Sequence, residues 1–255
     1  MSTLHEALKL LERSSIDWGK VALVVESGST AHGISSDGSD IDLTVVWTEN
    51  LRDLVVDHPR AGSRHIRTQP DGVRSGPGDI DMQVYSMRKF VGLAAQGNPS
   101  VLSVLFTPQE HRLHNARFPL EELTGLVVSQ RAGAAYLGYL DGQLGRWRDG
   151  TVSQRVSRPE LVEKHGFDTK YAAAAIRLGL QGAKYLLTGR VPIPMPESDS
   201  GRLRDLRDGK VPEEQAFAWA MEVRGLLVYA RDISDLPKHP DQDALDDFLV
   251  EWHTA

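Results

Sequence analysis

The sequence contains no cysteine, so disulfides, thiolate metal sites and cysteine nucleophiles are excluded, and any metal must be held by oxygen or imidazole. It also lacks an apolar run of the roughly 20 residues that a membrane-spanning helix needs. Met1 to Lys9 do not show the basic-then-apolar layout of a secretory signal, which sets the expectation of a cytoplasmic protein. There is no surplus of positive charge: 29 Lys and Arg against 35 Asp and Glu leave a net charge of -6. That balance argues against a protein that coats nucleic acid non-specifically, because such binding rests on many cation to phosphate contacts, but it leaves room for a local basic groove. Internal repeats and low-complexity tracts are absent as well.

What is present fits an ordinary globular chain, with 40% hydrophobic and 25% charged residues over a length that suits one large domain or two modest ones. Charge is uneven. Arg146, Arg148, Arg155, Arg158, Lys164 and Lys170 fall in one stretch, Arg202, Arg204, Arg207 and Lys210 in another, and Asp232 to Glu251 is mostly acidic. Solvated helix faces and loops are the simplest account of such runs.

Leu4, Ala7, Leu8, Leu10 and Leu11 stand at helical spacing, which predicts an amphipathic helix ending near Ser14. Strands are expected at Lys20 to Glu26 (KVALVVE), stopped by the small-residue turn Ser27-Gly28-Ser29, and at Ile41 to Trp47, after the polar segment Ser35 to Asp40. Leu51 to Val56 suits a short helix and Thr68 to Gly78 a loop. From Ile80 to Tyr85, Ile80, Met82 and Val84 alternate with Asp81 and Gln83, so one face is apolar and the other bears carboxylate. Met87 to Ala95 has a helical period, and Val101 to Phe106 continues as helix or strand. Beyond this the pattern is helical: Leu120 to Leu144, Thr169 to Leu187, Pro212 to Tyr229 and Asp243 to Trp252, the second closed by Gly189 and the prolines after it. The expected fold is α+β, a small mixed sheet with flanking helices at 1–118 followed by a helical domain at 119–255.

The informative segment is Gly28-Ser29, ten residues, then Asp40-Ile41-Asp42. Two carboxylates one residue apart on a strand project from the same face and can converge on hard cations. Two divalent ions about 3.5 to 4 Å apart bind the attacking and leaving oxygens of a phosphoryl displacement and need several carboxylates between them. A third is available from Asp81 or, on the same face, Asp79. The glycine lets the backbone approach a phosphate closely, and the turn amides and the serine hydroxyl can donate to it. Lys170, Arg177 and Lys184, spaced by sevens, lie near one helix face; they either reach triphosphate or acceptor or form a solvated basic stripe. His32 is a nucleotide contact or a packing residue of the turn. His111 and His114 are expected to be a surface pair without a third ligand. Tyr139 and Trp147, near the first basic stretch, offer stacking for single-stranded nucleic acid, against the simpler account of core aromatics.

The string Glu26-Ser27-Gly28-Ser29-Thr30-Ala31-His32-Gly33 with Ser39-Asp40-Ile41-Asp42-Leu43 resembles the signature of the polymerase beta nucleotidyltransferase superfamily. Asp81 to Phe90 (DMQVYSMRKF), Gly97-Asn98-Pro99 and Lys170 to Gly189 are similar to its predicted bacterial and phage branch linked to RNA repair, in which a nucleotidyltransferase core precedes a helical region. The resemblance implies that Asp40 and Asp42 each ligate two Mg2+ ions, with Mn2+ as a substitute. It further implies that Asp81 ligates the catalytic ion and helps deprotonate the acceptor hydroxyl, and that Gly28 and Ser29 hold a nucleoside triphosphate such as ATP. The acceptor it favours is an RNA end, with a protein or small molecule as alternatives. The rival expectation is an inactive nucleotide-binding module or an antitoxin-like partner protein.

Overall fold

A computed structural model describes residues 3–36, 38–55, 62–70, 72–73, 75–116, 118–149 and 158–254; Asp37, Val56 and Arg155, which figure in the segments above, lie outside them. Five strands form one mixed sheet: β1 (Val21–Glu26), β2 (Ile41–Trp47), β3 (Ser63–Arg67), β4 (Ile80–Ser86) and β5 (Arg112–Asn115), in the order β3-β4-β2-β1-β5. β2 and β4 run parallel and the other pairs antiparallel. Together with the helices described below, this is the α+β architecture expected.

β4 alternates between buried and half-buried positions along its whole length, as its sequence predicts. Its Ile80, Met82 and Val84 join Leu43, Val45 and Trp47 of β2 and Ala7 and Leu11 of α1 (Thr3–Arg13) in one apolar cluster. β2 is buried from Leu43 onward and half-buried only at Ile41 and Asp42, so the start of the strand alone opens to water. α2 (Gly28–Ala31) follows β1, and α3 (Leu51–Val55) follows β2. β3 and β5 have no apolar run, and periodicity does not reveal them; they form because the edges of β4 and β1 offer unpaired main-chain groups.

The chain divides into two compact units, each discontinuous in sequence. The first comprises 1–95, 103–127 and 241–255, the second 96–102 and 128–240. In the first, α4 (Met87–Ala95), α6 (Leu120–Val127) and α12 (Gln242–Thr254) pack on one another, so two helices from beyond residue 118 sit with the sheet. Glu49 organises that corner. Its buried carboxylate accepts the Met87 and Arg88 amides at 2.9 and 3.0 Å, and His253 of α12 lies 3.3 Å away.

The second unit is built on α9 (Thr169–Thr188), packed by α7 (Arg131–Asp149) and α11 (Glu213–Asp232), with α8 (Pro159–His165) and α10 (Glu197–Arg207) beside it. Asp168 caps α9 by accepting the Lys170 and Tyr171 amides, and Gly189 ends it in a left-handed conformation. Gly182 admits its neighbours: an added Cβ would stand 2.7 Å from Tyr136 and 2.9 Å from Leu227. The single helix expected over Leu120 to Leu144 is in fact two, α6 and α7. The break follows from polar competition, because the Ser129 amide donates to the Tyr185 hydroxyl at 3.0 Å and the Gln130 amide to the Pro237 carbonyl at 2.8 Å. Val101 lies in α5 (Pro99–Leu105), a helix. No helix among the described residues is long and apolar enough to cross a membrane.

Candidate active site

β1 ends at Glu26, and the Ser27 amide continues its ladder by donating to the Asp42 carbonyl at 2.9 Å. The chain must then turn away beside Asp42, and Gly28 does so at a φ of +59°. A Cβ on Gly28 would fall 1.8 Å from Asp42 Oδ2, so the carboxylate occupies the space that any other side chain would need. Glycine is therefore required twice over, for its backbone angle and for its missing Cβ. The amides of Gly28, Ser29 and Thr30 precede the first hydrogen bond within α2 and have no acceptor inside the helix. Ser29 Oγ is 3.5 Å from Ser39 Oγ, which also accepts the Ser36 amide at 3.0 Å. The polar segment thus folds back on the turn and delivers the chain to Asp40 and β2.

Asp42 and Asp81 are register partners in the parallel pair of β2 and β4, so their side chains leave the same face of the sheet at adjacent positions. Asp40 lies two residues upstream of Asp42, half-buried, on the approach to the strand. The structure therefore brings Gly28, Ser29, Asp40, Asp42 and Asp81 to one end of the sheet. Asp79, the alternative third acid, is otherwise committed. Its carboxylate accepts from the Gly76 amide at 2.9 Å, from Gln69 Nε2 at 3.0 Å and from Thr68 Oγ1 at 3.0 Å. Those bonds, the Gly76 amide first, hold its pKa below the usual carboxylate value, and it acts as the knot of the loop between β3 and β4.

Two residues of β3 that sequence reasoning missed touch Asp81. His65 Nε2 meets Oδ1 in a close contact, and Arg67 Nε stands 3.5 Å from Oδ2. Arg67 is the cross-strand partner of Asp81 and ties its own Nη2 to the Val73 carbonyl at 2.7 Å and Ser75 Oγ at 2.8 Å. The one signal in sequence was the i, i+2 placement of His65 and Arg67, which puts both on one face if Ser63 to Arg67 is a strand.

As a cation site, the donors fit in kind. Carboxylate oxygens suit a hard divalent ion, and Asp42 and Asp81 face the same space. Among the described residues no three Asp, Glu or His side chains converge on a common point, and Asp81 is engaged by His65 and Arg67, contacts that a bound cation would have to share or replace.

Lys170, Arg177 and Lys184 lie on α9 in the second unit; Lys170 and Lys184 are exposed and Arg177 half-buried. Arg177 donates to the neutral Gln181 Oε1 at 2.7 Å, and burial pulls its pKa down to about 10, which leaves it charged at neutral pH. His32 is buried at the end of α2, a packing residue of the turn. His111 and His114 do not form a surface pair: His111 Nδ1 meets Glu26 at 2.7 Å, while the His114 ring packs at a tilt against Trp18, with centroids 4.4 Å apart. Trp147 is buried among Phe167 and Phe217 and donates to Glu213 at 3.1 Å, so it offers no face to a nucleic acid base. Tyr139 is exposed, with its hydroxyl accepting from Asn98 at 2.8 Å.

A model of the RNA repair pathway DNA polymerase beta family matches residues 2–251. An uncharacterized 38.9 kDa protein encoded in the nrdC-mobD intergenic region of Enterobacteria phage T4 is 30% identical over 128 residues, which is 47% of this chain; the match spans 36% of that relative's length. Among solved structures, the spectinomycin adenyltransferase AAD(9) from Enterococcus faecialis, determined with ATP and spectinomycin, aligns with a TM-score of 0.46 at 14% identity, over 90% of this chain and 96% of that one. A nucleotidyltransferase-like protein from Exiguobacterium sibiricum aligns with a TM-score of 0.32 at 9% identity, over 90% and 74% respectively.

Proposed function

The chain belongs to the RNA repair pathway DNA polymerase beta family, and from that premise we propose that it transfers a nucleoside monophosphate from a nucleoside triphosphate to an acceptor hydroxyl. In this reaction the acceptor oxygen bonds to the α-phosphorus, the bond between the α- and β-phosphates breaks, and pyrophosphate leaves. The observation that carries this reading is the pairing of Asp42 with Asp81 across parallel strands while Asp42 is seated on the Cα of Gly28. Asp40, Asp42 and Asp81 would hold divalent cations, two Mg2+ ions with Mn2+ as a substitute, whose chemistry when bound is to polarise phosphoryl oxygens and lower the pKa of the attacking hydroxyl.

The rest falls to the chain's own groups. Gly28 lets the phosphates approach the main chain, and the amides of the turn with Ser29 Oγ donate to them. Asp81 offers a carboxylate oxygen to the proton of the acceptor hydroxyl. Lys170 and Arg177 are assigned to the nucleotide. The argument is strongest for Arg177, since a desolvated guanidinium whose hydrogen-bond partner is a neutral amide favours an anion. For the acceptor we favour an RNA end, consistent with the family's description, and for the setting the cytoplasm.

The test is incubation of the purified protein and Mg2+ or Mn2+ with each labelled triphosphate, in the presence of total RNA or lysate protein. Transfer of label and release of pyrophosphate are expected, and Asp42→Asn should lower both by at least about 1,000-fold with the melting temperature kept. Equal labelling by wild type and Asp42→Asn would overturn the reading. One observation favours a second: with His65 and Arg67 on Asp81, the chain could bind nucleotide without transferring it, as a binding module or a toxin's partner. That alternative predicts saturable triphosphate binding by calorimetry with no pyrophosphate released.

A further inference from the structure

At the other end of β2, a cavity of about 200 Å³ is lined by Asp17, Lys20, Trp47, Asn50, Asp53 and Arg64 among others. It is remote from the transfer site. Trp47 is five residues beyond Asp42 on the same strand, roughly 16 Å away, and an odd separation puts it on the opposite face of the sheet.

Its electrostatics are unusual. Two cations and two acids face one space, yet among the described residues none of the four forms an ion pair. Each meets a neutral partner instead. Asp17 Oδ1 accepts the Gly19 amide at 2.9 Å, and Arg64 Nη1 donates to the Ser14 carbonyl at 3.0 Å. Lys20 Nζ donates to Asn50 Oδ1, and the Asn50 amide donates to Asp53 at 3.3 Å. Side chains of opposite charge that line a common wall usually collapse onto one another, and here the cavity keeps them apart. Trp47 in the lining is buried, and among the described residues its indole N–H has no acceptor; a buried donor left unmet is a standing demand for an oxygen. The volume is below the ~300 Å³ at which sites for drug-sized molecules begin, so a nucleotide is too large. It holds the liquid volume of roughly six waters, or one molecule the size of an amino acid.

We propose that this cavity binds a small zwitterion of amino-acid size. Its anionic oxygens would go to Arg64, Lys20 and, after a small shift of the indole, the Trp47 N–H; its ammonium would go to Asp17 and Asp53. A ligand of that kind completes every charge on the wall at once, which neither a simple anion nor a simple cation does. Binding is independent of nucleotide, because the two sites lie on opposite faces of the sheet.

The test is thermal shift followed by calorimetry on the full chain with each of the common amino acids, and with acetate, methylamine and glycerol as controls. At least one amino acid should bind saturably and raise the melting temperature, the controls should not, and ATP should not displace it. Arg64→Gln and Asp53→Asn should each weaken binding at least tenfold, and Trp47→Phe, which keeps the ring and removes the N–H, several-fold. The proposal is overturned if no amino acid binds, if acetate or methylamine alone binds as well, or if the variants bind like wild type. Should a variant fail to fold, the wild-type contrast between zwitterion and single-charge controls still decides.

Discussion

Two carboxylate sites of the first unit stand at opposite ends of the same strands. At the start of β2 and β4, Asp42 and Asp81 are half-buried, and the partners of Asp81 are groups that can be exchanged, an imidazole and a guanidinium. Just after β2 ends, Glu49 is buried, and its oxygens are saturated by two main-chain amides and His253. The difference separates carboxylates that hold the fold from carboxylates whose partners a ligand can replace. A buried acid with a full set of donors is a structural cross-link. A pair of acids at a glycine turn, with exchangeable partners, is where substrate chemistry can enter.

The comparison breaks first if Glu49 turns out to be dispensable. Glu49→Ala leaves the Met87 and Arg88 amides and the His253 ring without their acceptor, and removing one member of a buried charged pair costs about 3–5 kcal/mol. A urea titration should show that loss. A change under about 1 kcal/mol would mean that water replaces the carboxylate and that Glu49 is no cross-link. Gly28→Ala is the counterpart at the open end. The new methyl group displaces the Asp42 carboxylate from the position it occupies, and the left-handed backbone adds about 1–2 kcal/mol of strain. We expect transfer to fall by at least about 100-fold, the usual consequence of shifting a reacting group by an ångström, with a smaller drop in stability than for Glu49→Ala.

Much of this contrast is visible in sequence and part of it is not. The glycine-serine turn, the strand Ile41 to Trp47 and the alternation in β4 are local patterns, and they place Asp40, Asp42 and Asp81 because strand parity is a local property. That Asp81, and not Asp79, pairs with Asp42 depends on the register of two strands far apart in sequence, which no alternation within one strand contains. His65 and Arg67 were hidden for the same reason: β3 exists by pairing with β4, not by its own propensity. The role of Glu49 was equally invisible, since its partner His253 is 204 positions away. In the second unit α7, α9 and α11 were legible from period and caps, except where Ser129 and Gln130 trade helical bonds for long-range ones, while the short α8 and the polar α10 carry too little apolar period to be read.

The Glu49 and His253 pair also makes a graded prediction in pH. For Glu49, burial acts to raise the pKa, but hydrogen bonds, that with His253 the largest among them, outweigh it and hold the value below its ordinary 4.5. For His253, the bond to Glu49 raises the pKa above 6.5 against the effect of burial. A lowered acid contributes stability above its unfolded pKa and loses it as pH falls through the folded value. A raised histidine contributes fully below its unfolded pKa and loses it as pH rises through the folded value. Both contributions are therefore complete between 4.5 and 6.5. The stability difference between wild type and His253→Gln, measured by urea unfolding from about pH 5 to about pH 9, should be largest at the acid end and shrink toward the alkaline end. A difference that does not change with pH would show that His253 contributes by packing alone.

The smallest effect is expected at Asp79, and it sharpens the distinction most. Asp79 is two residues from Asp81 and carries the same functional group, but its carboxylate is spent on Thr68, Gln69 and Gly76. Asp79→Asn keeps one oxygen to accept the Gly76 amide or Thr68 and loses only the ionic part of those bonds at an exposed site, so transfer should stay within about threefold of wild type. Asp81→Asn, a change of identical size and chemistry, should behave like Asp42→Asn. If instead Asp79→Asn abolishes transfer while Asp81→Asn spares it, the register pairing of Asp81 with Asp42 is not what selects the third acid, and the loop knot at Asp79 must open to supply it.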